Sequence, residues 1–353
     1  MSTLLHDLPL GAPASEVELL EADRQGRLLA CLRSHSGPRW FRRDEPGWVE
    51  LDLADDGELP LAAQIPRLRA LGALEVLSWR PGRRLTAAHR RPSGPLVLKA
   101  TRRSRHEAAL ARHVEARTTT GGQGFRVPAL LDASRELACL TLECLTGRAL
   151  APTEANAERF FAAGVCLRAF QEHAPRAALE LHGPAEEARV LDRMAERVRA
   201  CGLDLPAGWT ELRARFAEHA REQRTPTSFA LCHRDLHDRQ LLDLGGAIGL
   251  VDFDLLCQAD PALDAANLCS HLQLRSLQAL EGATPQAILA CARALLDGLE
   301  RDGEPDFRSR LRFYEASSFL RLALVHRSRP RWEPLVAPLL DYARRCLDEL
   351  ERG

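Results

Sequence analysis

The sequence has no apolar run long enough to cross a lipid bilayer, and residues 1–10 lack the basic start and apolar core of a signal peptide. It also has no excess of charge: 48 basic and 49 acidic residues leave a formal net charge of −1, which argues against a nucleic-acid or polyanion binder. We therefore expect a cytoplasmic protein that binds neither membranes nor nucleic acids. Its 353 residues allow a large core and favour two lobes or domains.

The cysteines lack any metal-binding or redox spacing. Ten are present, but no two are arranged as Cys-x-x-Cys. The sequence therefore predicts neither a zinc site nor a dithiol redox centre. Most of them lie inside apolar segments, where a reduced thiol behaves as a small hydrophobic side chain. We expect them to belong to the core.

Lysine is nearly absent, since Lys99 is the only lysine among the 48 basic residues. A lone lysine in a chain this rich in arginine indicates a role that arginine cannot fill. One such role is a phosphate site that accepts a compact ammonium but not a broad guanidinium fork. Residues 74–84, 85–90 and 95–100 have the pattern of three successive antiparallel strands, and Lys99 lies on the third.

Most of the remaining information lies in residues 229–254. After a polar segment at 233–240, two short apolar runs flank Gly245-Gly246, and the second run ends at Asp252. Glycine tolerates the positive φ of tight turns, so this pattern predicts a β-hairpin. The hairpin would bring Asp235, Gln240 and Asp252 around one point. Two carboxylates and an amide suit a hard cation such as Mg²⁺ with a base beside it. The alternative is a surface hairpin with solvated charges.

The same stretch resembles the catalytic core of kinases. His233-Arg234-Asp235-Leu236 is similar to H-R-D-L-x-x-x-N, with Gln240 in place of the asparagine, and Asp252-Phe253-Asp254 stands where D-F-G would stand. Phosphoryl transfer needs a carboxylate that orients and deprotonates the attacking hydroxyl, and oxygen ligands that hold Mg²⁺ across the phosphates. The resemblance makes Asp235 the base, and Gln240 and Asp252 the metal ligands.

A nucleotide-binding segment precedes this core. A helix is predicted over residues 104–117, with Glu107 and the apolar residues three and seven positions later on one face. We expect that face to be buried, so that Glu107 pairs with Lys99; Glu115, off that face, is the alternative partner. In kinases the strand lysine reaches the α- and β-phosphates. A Gly-rich loop is missing, and the Arg-Pro-Gly-Arg-Arg turn at residues 80–84 either covers the phosphates or is a solvated basic hairpin.

In chain order these features, together with the D-P-A-L-D of residues 260–264, are similar to the aminoglycoside phosphotransferase and choline kinase-like group. These are small-molecule kinases of the protein-kinase-like fold. The resemblance covers residues 70–275. It implies an α+β, bilobal fold, with a small antiparallel β lobe and a large, mainly helical lobe. It also implies ATP in the cleft, Mg²⁺ and a small-molecule hydroxyl as the phosphate acceptor.

The resemblance also implies roles for further residues. Glu143, Cys144 and Leu145 would form the hinge whose backbone binds the adenine, although an edge strand followed by a turn explains them equally. His237 would lie in the catalytic loop, either touching the γ-phosphate or serving as a plain structural histidine. Asp264 would brace the catalytic loop.

We expect three parts: a strand-rich N-terminal extension (residues 1–66), a nucleotide-binding β lobe with one helix (67–146), and a helical lobe with the catalytic loop and acceptor site (147–353). The alternative function is a pseudokinase that binds nucleotide without catalysis, and Gln240 is the feature that supports it. A protein kinase is less favoured, because only about a dozen residues separate Asp252 from the next helix and no A-P-E follows.

The acceptor itself is not readable from the sequence. Sugars, amino alcohols and aminoglycoside-like compounds all remain open. Four acidic residues of the helical lobe could meet a cationic acceptor or could be solvated helix faces: Glu186, Glu187, Asp192 and Glu196.

Overall fold

The computed structural model describes residues 8–34, 38–45, 47–70, 74–92, 94–120, 124–175, 178–222, 229–301, 303–304 and 306–352. Antiparallel sheets occupy the N-terminal part and helices dominate the C-terminal part, so the expected α+β, bilobal architecture is confirmed. Among the described residues, no helix is both long enough and apolar enough to cross a membrane.

The first sheet is an antiparallel meander with the strand order β1-β2-β3-β4. Its strands are β1 (Val17–Ala22), β2 (Leu28–Leu32), β3 (Arg39–Asp44) and β4 (Gly47–Glu50), and the short helix α1 (Ile65–Ala70) follows. The sheet packs against the helical lobe, because Val17, Leu20 and Phe41 share a core with it. In addition, the backbone N–H of Leu20 donates to the carbonyl of Ser328 at 2.8 Å. Strand-rich structure near the N-terminus was predicted, but this docking on the helical lobe was not.

The second sheet has five antiparallel strands in the order β5-β6-β7-β9-β8. They are β5 (Leu74–Arg80), β6 (Arg84–His89), β7 (Leu96–Thr101), β8 (Leu130–Ser134) and β9 (Cys139–Glu143), with helix α2 (Arg103–Thr118) between β7 and β8. Successive side chains of a strand point to opposite faces. Leu96, Leu98 and Ala100 are buried, so Lys99 projects from the other face of β7. The three predicted strands are confirmed.

The helical lobe contains two small three-stranded sheets and most of the helices. The sheets are formed by β10 (Arg148–Ala149), β13 (Leu241–Asp243) and β14 (Ile248–Leu250), and by β11 (Leu181–His182), β12 (Ala230–Cys232) and β15 (Cys257–Ala259). The helices are α3 (Ala157–Glu172), α4 (Pro184–Ala200), α5 (Trp209–Glu222), α6 (Ala262–Leu277), α7 (Pro285–Leu299), α8 (Phe307–Arg327) and α9 (Val336–Arg352). Helices α6 and α8 are buried along most of their length, so they form the centre of this lobe.

The cysteines behave as the sequence predicts. All ten are free, and all except Cys144 are buried. Burial raises the pKa of several thiols, that of Cys139 to about 12, because an apolar surrounding disfavours the thiolate. These are hydrophobic core side chains rather than nucleophiles.

Candidate active site

The predicted hairpin is present at the centre of the site. Strands β13 and β14 pair antiparallel, with Leu241 opposite Leu250, and the backbone N–H of Leu244 donates to the carbonyl of Ala247 at 3.1 Å. Gly245 has a φ of +83°, the conformation for which glycine suits such a turn. The hairpin therefore forms for the local reason that the sequence indicated.

Residues 233–240, which we call the catalytic loop after the kinase resemblance, form hydrogen bonds with both backbone groups of Val251, the residue before Asp252. The ring Nε2 of His233, which is fully buried, lies 3.0 Å from the carbonyl oxygen of Val251 and must donate its proton there. The backbone N–H of Val251 donates in turn to the carbonyl of Gln240 at 3.1 Å. The two ends of the loop are thus fixed beside Asp252.

Side chains of helix α6 hydrogen-bond to the backbone of the catalytic loop. The carboxylate of Asp264 accepts the backbone N–H groups of His233 and Arg234, each at 2.7 Å. The side-chain amide of Asn267 donates to the carbonyl of Arg234 at 2.8 Å. Arg234 needs this support, because its φ of +69° is strained for a residue with a side chain. Asp264 therefore lies where the resemblance implied a brace.

The Asp252-Phe253-Asp254 segment is anchored by its aromatic residue. Phe253 is buried and packs edge-on against His113 of α2 and at a tilt against His233, with ring centroids 5.9 and 5.5 Å apart. Asp252 has a φ of +71°. Strained backbone of this kind persists where the surroundings over-determine it, and it clusters at functional sites.

Lys99 lies between the two carboxylates of this segment. Its Nζ is 2.5 Å from Asp252 Oδ1 and 2.7 Å from Asp254 Oδ1, and only 13% of its side chain is exposed. Arg84, at the start of β6, adds a second cation 3.9 Å from Asp252 and 3.5 Å from Asp254. We call Arg84, Lys99, Asp252 and Asp254 the ion cluster. It joins the five-stranded sheet to the β13–β14 hairpin.

Opposite charges in the ion cluster favour the ionised forms of Lys99 and Asp252. Burial lowers the pKa of Lys99, but the two carboxylates outweigh burial and leave that pKa above its usual range. Burial raises the pKa of Asp252, but Lys99 and Arg84 outweigh it and hold that pKa well below the usual range. The cluster thus presents acidic oxygens beside a lysine ammonium at neutral pH.

The predicted pairing of Lys99 with Glu107 was wrong. Glu107 is exposed on α2 and forms an ion pair with Arg135 at 2.8 Å, while Lys99 binds Asp252 and Asp254. Glu115, the alternative, is the buried glutamate of this helix, with 3% exposure. The helix is rotated from the predicted face because its polar residues pack inward, as His113 does against Phe253.

The predicted hinge begins at Glu143, the last residue of β9, and continues through Cys144 to Leu145, which contacts the β13–β14 hairpin. The carboxylate of Glu143 accepts hydrogen bonds from Arg126 at 2.5 Å and from the backbone N–H of Ala129 at 2.9 Å. Leu145 packs on Gly249 of β14. A side chain at position 249 would place its Cβ only 3.1 Å from Cδ1 of Leu145. In the described residues, neither Cys144 nor Leu145 makes a backbone hydrogen bond to another part of the chain.

The remaining catalytic-loop residues occupy distinct surroundings. Asp235 is 42% exposed at its side chain, and Arg321 of α8 approaches its Oδ1 to 3.9 Å. His237 packs against His271 with ring centroids 5.0 Å apart, and burial lowers its pKa against the opposing charges of Asp235 and Asp238. Burial thus favours the neutral imidazole form of His237.

Gln240 folds back onto its own loop. It is buried, and its side-chain Oε1 accepts the backbone N–H of His237 at 3.3 Å. An amide oxygen has two lone pairs, so one remains for a second partner. Among the described residues, no cluster of three or more histidine, cysteine or acidic side chains has the arrangement of a metal site. The candidate metal ligands are the oxygens of Asp252, Asp254 and Gln240, residue types that suit Mg²⁺.

The basic turn at residues 80–84 is neither fully solvated nor directed wholly at the site. Arg80 donates to the carboxylate of Glu21 in β1, and Arg83 lies 3.5 Å from the same carboxylate. Only Arg84 faces the ion cluster. Both predicted readings of this turn were therefore incomplete, because the N-terminal extension engages two of its arginines.

The four acidic residues considered for a cationic acceptor are mostly engaged elsewhere. Glu187 is buried and accepts from His182 and Ser317, each at 2.5 Å. Glu186 caps α4 and pairs with Arg189, Asp192 pairs with Arg213, and Glu196 is exposed. The first three have structural partners and do not form an acidic acceptor pocket.

The sequence analysis assigned no role to Asp254 or Arg321, and it considered Arg84 only as part of the basic turn at residues 80–84. Asp254 could have been found, since it stands two positions from Asp252 and so returns to the same side of an extended chain. Arg84 and Arg321 meet the site only through the tertiary fold, and Arg321 lies 86 positions after Asp235. No local signal marks either arginine.

The chain is similar to proteins of known family and structure. The sequence model of a family described as "Phosphotransferase enzyme family" matches residues 80–301, more than half of the chain. No curated protein sequence matches the chain significantly.

Solved structures with a similar fold include a choline/ethanolamine kinase family protein from Mesorhizobium loti (TM-score 0.56, 18% identity, 86% of this chain and 97% of that chain). An amicoumacin kinase solved with AMP-PNP, Ca²⁺ and amicoumacin matches with a TM-score of 0.58 and 14% identity over 81% of this chain and 93% of its own. An aminoglycoside phosphotransferase from Streptomyces rimosus matches with a TM-score of 0.53 and 20% identity over 75% of this chain and 98% of its own.

Proposed function

Because this chain belongs to the phosphotransferase enzyme family, we propose that it transfers the γ-phosphate of ATP to a hydroxyl group of a small molecule. The family match confirms the resemblance drawn from the motifs, and the similar structures include choline/ethanolamine kinase and aminoglycoside phosphotransferase folds. Acceptor identity is not part of this conclusion.

The observation that carries the proposal is the ion cluster beside the catalytic loop. Lys99, the one lysine of the chain, sits within 2.7 Å of both carboxylates of the D-F-D segment, and the loop is hydrogen-bonded to the residue before Asp252. A kinase needs this juxtaposition of a phosphate-binding cation, metal-binding oxygens and a base.

We assign the chemical roles as follows. The carboxylate of Asp235 accepts the proton of the acceptor hydroxyl while the hydroxyl oxygen forms a bond to the γ-phosphorus. The bond between the γ-phosphorus and the bridging oxygen breaks, and ADP leaves with the bond's electron pair. Arg321, 3.9 Å from Asp235, limits the orientation of this base. Lys99 and Arg84 provide positive charge for the phosphates.

The oxygens of Asp252, Asp254 and Gln240 fit a Mg²⁺ ion in their chemistry. When bound, the ion neutralises phosphate charge during transfer. Lys99 and Arg84 balance the charge of both carboxylates, and Asp252, Asp254 and Gln240 would hold the ion. The amicoumacin kinase, solved with AMP-PNP and Ca²⁺, is consistent with such a nucleotide and divalent-metal pair.

We further propose that the adenine contacts the hinge formed by Glu143, Cys144 and Leu145. The support is that the backbone groups of Cys144 and Leu145 are not committed to other described residues. We also propose that the chain divides into three parts: an extension (residues 1–66), a β lobe (67–146) and a helical lobe (147–353).

ADP release tests the proposed function. Purified protein is mixed with ATP, Mg²⁺ and a panel of sugars, amino alcohols and aminoglycosides, and ADP is measured with an Asp235→Asn control. Acceptor-dependent ADP formation that the control lacks is the expected result. ATP binding without turnover on any acceptor would instead indicate the pseudokinase, a reading favoured by the engagement of the Gln240 amide with its own loop.

A further inference from the structure

A cavity lies where the N-terminal sheet, the basic turn and the helical lobe meet. Its volume is about 170 Å³, below the roughly 300–1,000 Å³ of pockets that bind drug-sized ligands. Its walls come from β1, from the turn at residues 80–84, from α4, and from the C-terminal end of α8 with the residues that follow it. The cavity therefore suits one small chemical group rather than a nucleotide.

Its lining carries an excess of positive charge. Four arginines line the cavity, against one carboxylate, that of Glu21: Arg80, Arg83, Arg197 and Arg329. Glu21 already pairs with Arg80 and Arg83. In the part of the chain that the structure describes, the guanidinium of Arg329 makes no ion pair and no hydrogen bond. Arg197, which is exposed, also has no ion pair with a described residue.

Buried polar atoms at the same place also lack partners. Arg80 Nε, a donor that an anion can satisfy, is buried and is not hydrogen-bonded to a described residue. Glu21 Oε1 is buried and without a hydrogen bond to a described residue as well, but it is an acceptor and needs a water or another donor. Native proteins rarely leave such atoms unsatisfied, and a bound ion or water usually explains them. Burial and the charge of Arg80 lower the pKa of Arg329, against a smaller opposite effect from Glu18. An anion would relieve the repulsion among these arginines.

The cavity is close to the catalytic loop. Arg321 of α8 approaches Asp235 to 3.9 Å, and Leu324 and Val325, one helical turn further along, line the cavity. Arg329 also senses the charges of Arg239 in the catalytic loop and of Arg275. An anion held here would therefore bind the basic turn to the helical lobe, about one turn of α8 from the arginine that approaches Asp235.

We propose that this cavity binds a small oxyanion, a phosphate or carboxylate group, through Arg329, Arg197 and the two arginines of the basic turn. Its role in catalysis rests on the proposed function, whereas its existence as a binding site does not. The oxyanion comes either from an acceptor that carries a negative charge or from free phosphate that tightens the contact between the turn and the helical lobe. Both sources share the same chemistry.

Calorimetric titration of the full chain with inorganic phosphate tests the site. It is run with and without saturating ADP and Mg²⁺, because the ion cluster can also bind phosphate. We expect one binding event that survives ADP. Arg329→Gln should weaken it by about tenfold or more, since a charged hydrogen bond is lost. Arg331→Gln is the matched control, because Arg331 lies outside the cavity and pairs with Glu18 at 3.7 Å.

A third variant reverses the expected sign. Glu21→Gln removes the only carboxylate of the lining and should tighten phosphate binding. Equal phosphate affinity in Arg329→Gln and Arg331→Gln, or no binding that survives ADP, overturns the proposal. Lys99→Ala separates the two hypotheses, since it should abolish ADP binding and leave the phosphate event intact. Retained ADP binding in that variant counts against the nucleotide site alone.

Matched acceptor pairs distinguish the two sources of the oxyanion. Glycerol and glycerol phosphate, or ethanolamine and serine, differ by an anionic group. Preference for the charged member, with a raised KM and similar kcat in Arg329→Gln, assigns the oxyanion to the acceptor. Altered turnover of the uncharged member by added phosphate, without competition, assigns it to a free regulator. Either result supports the site.

Discussion

Removal of the Lys99 ammonium is the perturbation that probes the ion cluster most sharply. In Lys99→Met the carboxylates of Asp252 and Asp254 keep only Arg84, at 3.9 and 3.5 Å, as a nearby cation. Breaking a fully buried ion pair typically costs about 3–5 kcal/mol. Here the two carboxylate side chains are 36% and 27% exposed, so solvent screening reduces the expected loss to about 1–3 kcal/mol.

Urea denaturation of the full chain measures this loss as a lower midpoint at an unchanged slope. The matched control is Arg135→Met, which removes the exposed pair with Glu107, whose side chains are 81% and 62% exposed. A surface pair of that kind is worth about 0–1 kcal/mol. The control should therefore be close to the wild type.

Magnesium supplies the second half of this test. In Lys99→Met no lysine ammonium competes with a metal ion for the carboxylates of Asp252 and Asp254. Added Mg²⁺ should therefore raise the urea midpoint of Lys99→Met more than that of the wild type, by mass action on the folded state. An unchanged midpoint in Lys99→Met without metal, or equal Mg²⁺ effects on both proteins, would refute the reasoning about the cluster.

Three further predictions follow from the same geometry. Asp235→Asn should lower kcat by about 10²- to 10⁴-fold while calorimetric ADP affinity stays similar, because only the base is lost; normal turnover removes Asp235 from that role. Gln240→Ala should raise the Mg²⁺ concentration needed for half-maximal turnover, and Gln240→Asn should be milder, since it keeps an amide oxygen; indifference to both changes means the amide is not a ligand. Burial raises the pKa of Glu187, but its bond to His182 outweighs burial and lowers that pKa to about 2. Its stabilising effect is therefore present above the unfolded pKa of about 4.3 and is lost as pH falls toward 2. Thermal melts should accordingly show a flatter acid limb in Glu187→Gln, and parallel limbs would contradict this.

Locally determined features of the fold could be predicted from the sequence. Gly245-Gly246 between two apolar runs forces a turn whatever surrounds it, so the hairpin and the position of Asp252 followed. The pattern of residues 95–100 likewise placed Lys99 on a strand, which is β7 in the structure. Both signals act over a few residues, and the short range makes them readable.

Features decided by tertiary packing could not be predicted. Helix α2 buries His106 and His113 and exposes Val114 by 48%, so the apolar spacing pointed to the wrong face and Glu107 was misassigned. Polar side chains are buried there because the helix packs on the D-F-D segment, 142 residues away at the contact between Arg112 and Asp254. The contact of Glu21 with Arg80 is non-local in the same way.

The most direct test of the central claim is phosphorus NMR of the full reaction with ATP, Mg²⁺ and the acceptor selected from the panel. The account predicts a new phosphate monoester signal that grows in equal amount with ADP, and its absence when Asp235→Asn replaces the wild type. ADP accompanied only by inorganic phosphate, or ATP left intact although it binds, would contradict the assignment of this chain as a small-molecule kinase.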